Sequence, residues 1–231
     1  MLLFFVYFFS SVPVEVKSCD APTVVCDAVT RVFPVSSDII PLASAVLIGP
    51  GLLVTNRHVI ADREEAKVFL KDGSFKVAKV IPSSYNGDLI LLQVNDLSDY
   101  NPLVQKSIKS SLSNIFSVGA DIGRRKKIRV YKPGKVIKLP PLNKPLARIH
   151  HSAESFPGNS GGALMDSKGR LIGIIASGGE GYFEAIPVSQ LKELKKESGL
   201  SKLETSQRLG VAYRQCDKAI QNANQNAEKM E

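Results

Sequence analysis

Short apolar runs separated by turn residues dominate the chain from Ser44 to about Val188. This pattern is typical of a β-sandwich or β-barrel, in which short strands end at turns and bury one face. Three breaks have turn chemistry that favours a hairpin: Gly49-Pro50-Gly51, Lys71-Asp72-Gly73 and Asp166-Ser167-Lys168-Gly169. The pattern predicts an all-β domain with strands at 45–48, 52–55, 67–70, 75–80, 89–94, 115–118, 128–131, 135–139, 163–165 and 171–175.

The pattern of hydrophobic and polar residues changes after Pro187. Leu191 and Leu194 stand at helical spacing among charged residues, and the sequence beyond Ser201 is polar. With 231 residues, 44% of them hydrophobic and 23% charged, the composition is that of a globular protein and excludes a disordered or fibrous one. We therefore predict one functional domain with these divisions: an N-terminal extension at 19–42, a domain at 43–190 and a helical or polar tail at 191–231.

The first residues form a compact apolar run from Leu2 to Phe9, which is shorter than the roughly 20 residues of a membrane-spanning helix. Its length suits the core of a signal peptide at 1–18, cleaved near Ser18, although no Lys or Arg precedes it. We therefore expect export to a bacterial periplasm or secretion. A lipoprotein cut before Cys19 is less favoured because of Lys17, and a hydrophobic first strand of a cytosolic protein is the alternative.

Three cysteines lie near the two ends of the chain: Cys19, Cys26 and Cys216. In an oxidising compartment, one pair could tie the N-terminal segment to the tail, and a bond between Cys26 and Cys216 would enclose nearly the whole domain. An odd count leaves at least one thiol unpaired or lipidated. The sequence leaves the connectivity open.

The basic residues are concentrated in one part of the chain. The total of 30 Lys and Arg against 22 Asp and Glu gives a net charge of +8, and the stretch 124–138 holds a basic run without any acidic residue. Such a run could attract phosphates or anionic lipid headgroups. Tyr131 is its single aromatic residue, so the run lacks the interleaved aromatics of a platform for single-stranded nucleic acid. A solvated basic loop and hairpin is the favoured interpretation.

The segment 156–163 has the sequence Phe-Pro-Gly-Asn-Ser-Gly-Gly-Ala, in which glycines surround Ser160. A serine on a tight glycine-rich loop can expose its Oγ and bring backbone amides towards a substrate carbonyl. The amides of Gly158 and Ser160 are then candidates for an oxyanion hole. The alternative is a glycine-rich turn with an incidental serine.

A serine nucleophile needs an adjacent base, and the chain has only three histidines. His58 directly follows an apolar strand whose end can aim an imidazole, whereas His150 and His151 favour a surface or core-edge role. Asp88, at the mouth of the next strongly apolar strand, is the candidate carboxylate that orients His58. Asp62 remains its competitor because it lies close to His58 in sequence.

These residues make the chain resemble the trypsin-like serine peptidases of the chymotrypsin fold, and more closely the HtrA/DegP-type protease domain. The resemblance covers about residues 43–188 and rests on Thr-Asn-Arg-His-Val, Gly-Asp-Leu-Ile-Leu-Leu and Gly-Asn-Ser-Gly-Gly, in the family's order of His, Asp and Ser. It implies two six-stranded antiparallel β-barrels with a C-terminal helix or tail. It also implies catalysis by His58, Asp88 and Ser160 through an acyl-enzyme, without a metal or organic cofactor.

The resemblance also suggests where a substrate would bind. Ala176, Ser177 and Gly178 correspond to the strand edge that pairs with substrate backbone. Glu154, Ser155 and the segment 182–186 are expected to bound the primary pocket, where a buried Glu154 could select Lys or Arg. HtrA-type relatives do not use that acid and favour small apolar residues, so a Glu154 that faces solvent is the alternative. HtrA-type relatives usually append PDZ domains, and the tail is too short for one, so no PDZ-mediated partner is expected.

The predicted function is therefore that of a serine endopeptidase acting on polypeptides in an exported compartment. One alternative is a catalytically weak protease-fold module that binds peptides or an anionic surface. Another is a hydrolase of esters or other acyl groups, which would use the same nucleophile.

Overall fold

The computed structural model describes residues 19–34, 42–122, 127–139, 141, 144, 146–179 and 182–199. The predicted signal peptide, Cys216 and the polar sequence beyond residue 199 lie outside the described residues, as does part of the basic run at 123–126. The helices in the described part of the chain are too short and too polar to cross a membrane.

Six strands of the N-terminal half form a closed antiparallel barrel, barrel one. Its strands follow the order β2-β3-β4-β7-β6-β5. β5 shows why these segments form strands, since Ala66 and Val68 alternate with more exposed residues and face the barrel core. The elements of this half are β1 (Cys19–Asp20), α1 (Thr23–Ala28), β2 (Val29–Pro34), β3 (Ala43–Gly49), β4 (Leu52–Thr55), α2 (Arg57–Ile60), β5 (Glu65–Phe69), β6 (Phe75–Ile81) and β7 (Ile90–Gln93).

The C-terminal half forms a second closed barrel, barrel two. Its elements are β8 (Ser113–Ala120), β9 (Ile128–Val130), β10 (Gly134–Lys138), β11 (Ile149–His151), β12 (Ala163–Met165), β13 (Leu171–Gly179), β14 (Tyr182–Pro187) and α3 (Gln190–Glu197). Strands β8-β10-β11-β14-β13-β12 form the ring, which the pairing of β12 with β8 closes. β9 pairs with the end of β8, and β1 lies parallel to β9.

The two-barrel all-β fold is confirmed, but the predicted domain boundaries need correction. β2 lies in the segment that was expected to be an extension, yet it is a strand of barrel one, between β3 and β5. At the other end, α3 buries Leu191 and Leu194 in the apolar core, so this helix belongs to the domain rather than to a tail. The domain therefore begins and ends farther out than residues 43 and 190.

The disulfide differs from the pairing considered from the sequence. Cys19 bonds to Cys26, with 5.6 Å between their Cα atoms, so Cys26 is not available to Cys216. The bond ties β1 to α1 and holds the N-terminal segment against β9, where Cys19 is in register with Ile128. A disulfide-bonded Cys19 also has no free thiol for a lipid, which contradicts the lipoprotein alternative.

The described part of the basic run is not a uniform cationic surface. Arg129 donates to the Asp121 carboxylate at 2.8 Å, and Lys132 Nζ lies 3.4 Å from Glu154 Oε1. Lys135 and Lys138 are exposed on β10. The role of this run in binding an anionic surface stays a prediction.

Candidate active site

Barrel one brings His58 and Asp88 together. β4 ends at Thr55, α2 then carries His58, and β4 pairs with β7 so that Thr55 is opposite Ile90. Asp88 precedes β7 by two residues and therefore lies beside α2. His58 Nδ1 is 2.8 Å from Asp88 Oδ2, and the His58 backbone N–H donates to Oδ1 at 3.0 Å. Asn56 Nδ2 donates to the Asp88 backbone carbonyl at 3.0 Å, and this third hydrogen bond helps to hold Asp88 in place.

This contact changes the protonation of His58. The hydrogen bond to Asp88 raises the pKa of His58 above its ordinary value of 6.5, against the opposing effect of burial. The imidazole side chain is still 51% exposed, so it lines an open cleft rather than the protein core. Asp88 thus orients the ring and stabilises its charged form.

Ser160 lies just after a tight turn of barrel two. Asn159 N–H donates to the Phe156 carbonyl at 2.9 Å, and Gly158 has a φ of +100°, as in a type II turn with Pro157 and Gly158 at its centre. Asn159 closes the turn a second time, because its Oδ1 accepts from the Phe156 N–H at 2.8 Å. The asparagine and the positive φ of Gly158 therefore set the shape of the loop before the serine.

Two backbone amides of this loop have no acceptor among the described residues and are available to bind a ligand. Within the described part of the chain, neither the Gly158 N–H nor the Ser160 N–H donates to a protein acceptor. The Ser160 hydroxyl donates to the Ala176 carbonyl at 3.3 Å, and no hydrogen bond among the described residues joins it to His58. Two unpaired N–H groups beside a serine hydroxyl are what stabilisation of a developing oxyanion needs.

The serine loop attaches directly to the barrel that holds His58. The Ser160 carbonyl accepts from the Ser44 N–H at 2.8 Å, and Thr55 Oγ1 donates to the Ser44 carbonyl at 2.7 Å. Gly161 has a φ of +79°, and a Cβ there would lie 2.1 Å from the Ser44 oxygen. Only glycine fits at this position. The contact joins the Ser160 loop to the end of β4, three residues before His58.

The other candidate groups from the sequence lie apart from this pair. The Asp62 side chain is 87% exposed and lies 3.7 Å from Arg63, so it does not replace Asp88 at His58. His150 stacks on Tyr182 with 4.3 Å between ring centroids. His151 is fully buried, and burial lowers its pKa to about 4. Neither of these two histidines is a partner of Ser160.

The edge of β13 matches the expected substrate strand in its pairing. β12 covers β13 only from Leu171 to Ile174, whereas β14 pairs with it out to Gly179. Ala176, Ser177 and Gly178 therefore have a strand on one side, and no described strand on the other. This leaves backbone groups next to Ser160 for an added strand, whose binding stays a prediction.

Glu154 is not buried, unlike the specificity residue for Lys or Arg that was considered from the sequence. Its side chain is 39% exposed and paired with Lys132. It lines an open groove of about 770 Å³ beside the serine loop, together with Tyr131 and Phe156, whose rings lie 5.3 Å apart. Ser155 instead bonds to the buried Ser117 hydroxyl at 2.8 Å.

Sequence reasoning missed Ser44 and Thr55, which join the two halves of the site. The signal available was a small polar residue at the edge of an apolar strand, at the start of β3 and at the end of β4. Both side chains are fully buried, and buried hydroxyls are retained where they have hydrogen-bond partners.

Two closed antiparallel barrels, with a His–Asp pair from one and a serine loop from the other, define the class of chymotrypsin-fold serine peptidases. The sequence comparison agrees with this class, since residues 43–174 match the family described as trypsin-like peptidase domain. The chain belongs to the trypsin-like peptidase family.

Its relatives are serine proteases of the HtrA type. The chain is 31% identical over 134 residues, covering 54% of its length, to the serine protease Do-like HtrA of Lactobacillus helveticus. It is 27% identical over 182 residues, covering 76% of its length, to a probable periplasmic serine endoprotease DegP-like of Ectopseudomonas mendocina (strain ymp). The matches span 32% and 38% of those two proteins, so the chain corresponds to about a third of each.

Solved structures show the same fold. The HtrA-type protease AlgW with a tripeptide is 27% identical and superposes with a TM-score of 0.65 over 75% of this chain and 60% of its own. The serine endoprotease from Yersinia pestis, at 24% identity, has a TM-score of 0.65 over 76% of this chain and 64% of its own.

Proposed function

We propose that this protein is a serine endopeptidase in which Ser160 is the nucleophile, His58 the general base and Asp88 the residue that orients His58. The observation that carries the proposal is the pair of amides at Gly158 and Ser160 that have no acceptor among the described residues, in a serine loop whose Ser160 carbonyl bonds to the barrel that holds His58 and Asp88. A structural glycine turn would have no need of two free donors beside its serine.

The reaction follows from these groups. Ser160 Oγ rotates from the Ala176 carbonyl towards His58 Nε2, which takes its proton as Oγ bonds to the substrate carbonyl carbon. The carbonyl oxygen becomes negative and accepts from the Gly158 and Ser160 N–H groups. His58 then protonates the departing amine as the C–N bond breaks, which leaves an acyl-enzyme. His58 then takes a proton from a water molecule as the water oxygen bonds to the acyl carbon, and it gives this proton to Ser160 Oγ as the ester C–Oγ bond breaks.

The substrate class follows from the β13 edge. An extended polypeptide would pair with the backbone of residues 176–178 and so place its carbonyl carbon at Ser160. Backbone pairing supplies affinity without selecting side chains, and a simple ester would not use it. This supports an endopeptidase over a general esterase.

An exported compartment is part of the proposal. The Cys19–Cys26 disulfide supports an oxidising environment, where such bonds persist. Relatives described as periplasmic support the same compartment. Fractionation of the producing cells, with detection of the disulfide by its resistance to thiol alkylation, tests this part separately.

The nucleophile is tested with a fluorophosphonate, which phosphonylates an activated serine. We expect labelling of the parent protein, loss of labelling in Ser160→Ala and retention in Ser167→Ala, which removes an exposed turn serine as the matched control. Labelling that survives in Ser160→Ala would refute the assignment. An unlabelled parent would favour the non-catalytic binding module instead.

The substrate class needs a second measurement. Incubation with a mixed peptide library, followed by mass spectrometry, should reveal internal cleavage sites that disappear in Ser160→Ala. Hydrolysis of small esters without cleavage of any peptide would support the esterase alternative. The resulting profile would also identify the residue preferred on the acyl side of the cleaved bond.

A further inference from the structure

Ser44 has four hydrogen bonds although it lies outside the proposed catalytic residues. It stands in β3 of barrel one and is fully buried. Its backbone N–H donates to the Ser160 carbonyl at 2.8 Å, and its carbonyl accepts from Thr55 Oγ1 at 2.7 Å. These two bonds place Ser44 between the nucleophile loop and the strand that leads to His58.

The hydroxyl of Ser44 makes the other two bonds, both to barrel two. Oγ accepts from the Ala120 N–H at 2.8 Å and donates to the Gly158 carbonyl at 2.7 Å. Because the Ala120 amide can only donate and the Gly158 carbonyl can only accept, the direction of the hydroxyl proton is fixed. The side chain therefore joins the end of β8 to the residue whose N–H is a proposed oxyanion donor.

The packing around this hydroxyl leaves little room for the loop to move. A Cβ on Gly119 would lie 2.9 Å from Ser44 Oγ and 2.8 Å from the Asn159 Cα. Asn159 Nδ2 also donates to the Ala120 carbonyl, at 3.1 Å. The loop, the end of β8 and Ser44 thus form one close-packed unit, in which a displacement of any member shifts the others.

We propose that Ser44 is a positioning residue, whose hydroxyl holds the Gly158–Ser160 loop at the distance from barrel one that the reaction requires. This inference rests on the proposed function. Its physical basis is that the nucleophile and the base come from different barrels, so their alignment depends on the contacts between them. A misplacement of about 1 Å can cost on the order of 100-fold in rate.

The test compares Ser44→Ala with Thr30→Val. The alanine removes a single atom and keeps both backbone hydrogen bonds, so the fold is expected to persist, as a thermal unfolding scan would verify. Thr30→Val removes another hydroxyl of barrel one, which donates to the Phe69 carbonyl of β5 and has no bond to the serine loop among the described residues. This control measures the effect of losing a hydroxyl without disturbing the serine loop.

On a peptide substrate, we expect kcat of Ser44→Ala to fall about 10- to 100-fold with KM changed by less than about threefold, and kcat of Thr30→Val to stay within about twofold. Gly119→Ala, which crowds the same hydroxyl instead of removing it, should also lower kcat. Equal kcat in the parent and both site variants would overturn the inference, as would an equal loss in Thr30→Val.

A measurement that does not need activity separates this inference from the proposed function. Hydrogen–deuterium exchange at the Asn159 and Gly162 amides, both bonded within the loop, should accelerate in Ser44→Ala and not in Thr30→Val. An inactive parent with accelerated exchange would refute the proposed function but not the positioning role. Unchanged exchange in Ser44→Ala would refute the positioning role even in an active enzyme.

Discussion

The contact between Asp88 and His58 allows a quantitative test of the proposed catalytic machinery by Asp88→Asn. In the parent, Oδ1 accepts the His58 backbone N–H and Oδ2 faces Nδ1. The backbone N–H can only donate, so the asparagine oxygen must take the Oδ1 position. The amide NH₂ then faces Nδ1, which forces the ring proton onto Nε2.

That change of tautomer removes the base. A protonated Nε2 cannot accept the proton of Ser160, although the positions of all heavy atoms are preserved. Loss of the orienting carboxylate in a serine triad costs about 10⁴ in kcat, or on the order of 5 kcal/mol of transition-state stabilisation. We expect a loss of this size in Asp88→Asn with KM little changed, because no substrate contact is removed.

The assay measures kcat and KM on a peptide identified from the library, together with the rate of fluorophosphonate labelling. Asp62→Asn is the matched control, because Asp62 is the nearby carboxylate that competes with Asp88 in sequence and is exposed in the structure. It should retain activity within about twofold. Activity of Asp88→Asn within tenfold of the parent would refute the reasoning, and an equal loss in Asp62→Asn would show that the assignment is wrong.

Three further predictions concern other groups. The kcat/KM of the parent should rise with pH through a midpoint above 6.5, because only the neutral imidazole acts as a base and the raised pKa of His58 keeps the ring protonated up to a higher pH. A midpoint below 6.5 would contradict this prediction. Replacing Cys19 and Cys26 together by serine should lower the free energy of unfolding in urea by about 2–3 kcal/mol, since the bond closes a short loop, and an unchanged urea midpoint would count against the bond. Glu154→Gln should alter the preference for Lys or Arg over apolar residues by less than about threefold, because the carboxylate is exposed and already paired; a tenfold loss in a cleavage profile would show that it selects cationic side chains.

Short apolar runs in the sequence predicted ten of the strands, several of them without a recognisable hairpin turn, and missed β1, β2, β11 and β14. β3 and β4, on either side of Gly49-Pro50-Gly51, were predicted from a local turn signal. β2 and β14 each end at a proline, and each has one partner that is distant along the chain, β5 for β2 and β11 for β14, which no local pattern indicates.

Within the site, too, only the residues marked by a local sequence pattern could be predicted. His58 and Asp88 could be predicted because each stands at the end of a recognisable apolar strand, and neighbouring strands bring such ends together. The bonds of Ser44 could not be predicted, because its hydroxyl contacts Gly158, 114 residues away, and Ala120, 76 residues away. Only the closed barrels bring those groups within reach of one another.

The position of β2 has a practical consequence for anyone who wishes to produce a shortened protein. The stretch that matches the family, 43–174, omits β2, β14 and α3. A fragment cut at those limits would leave β3 and β5 as open edges in barrel one, and β11 and β13 as open edges in barrel two. Exposed strand edges pair with other chains, so we expect such a fragment to aggregate. A fragment that spans residues 19–199 retains every strand of both barrels.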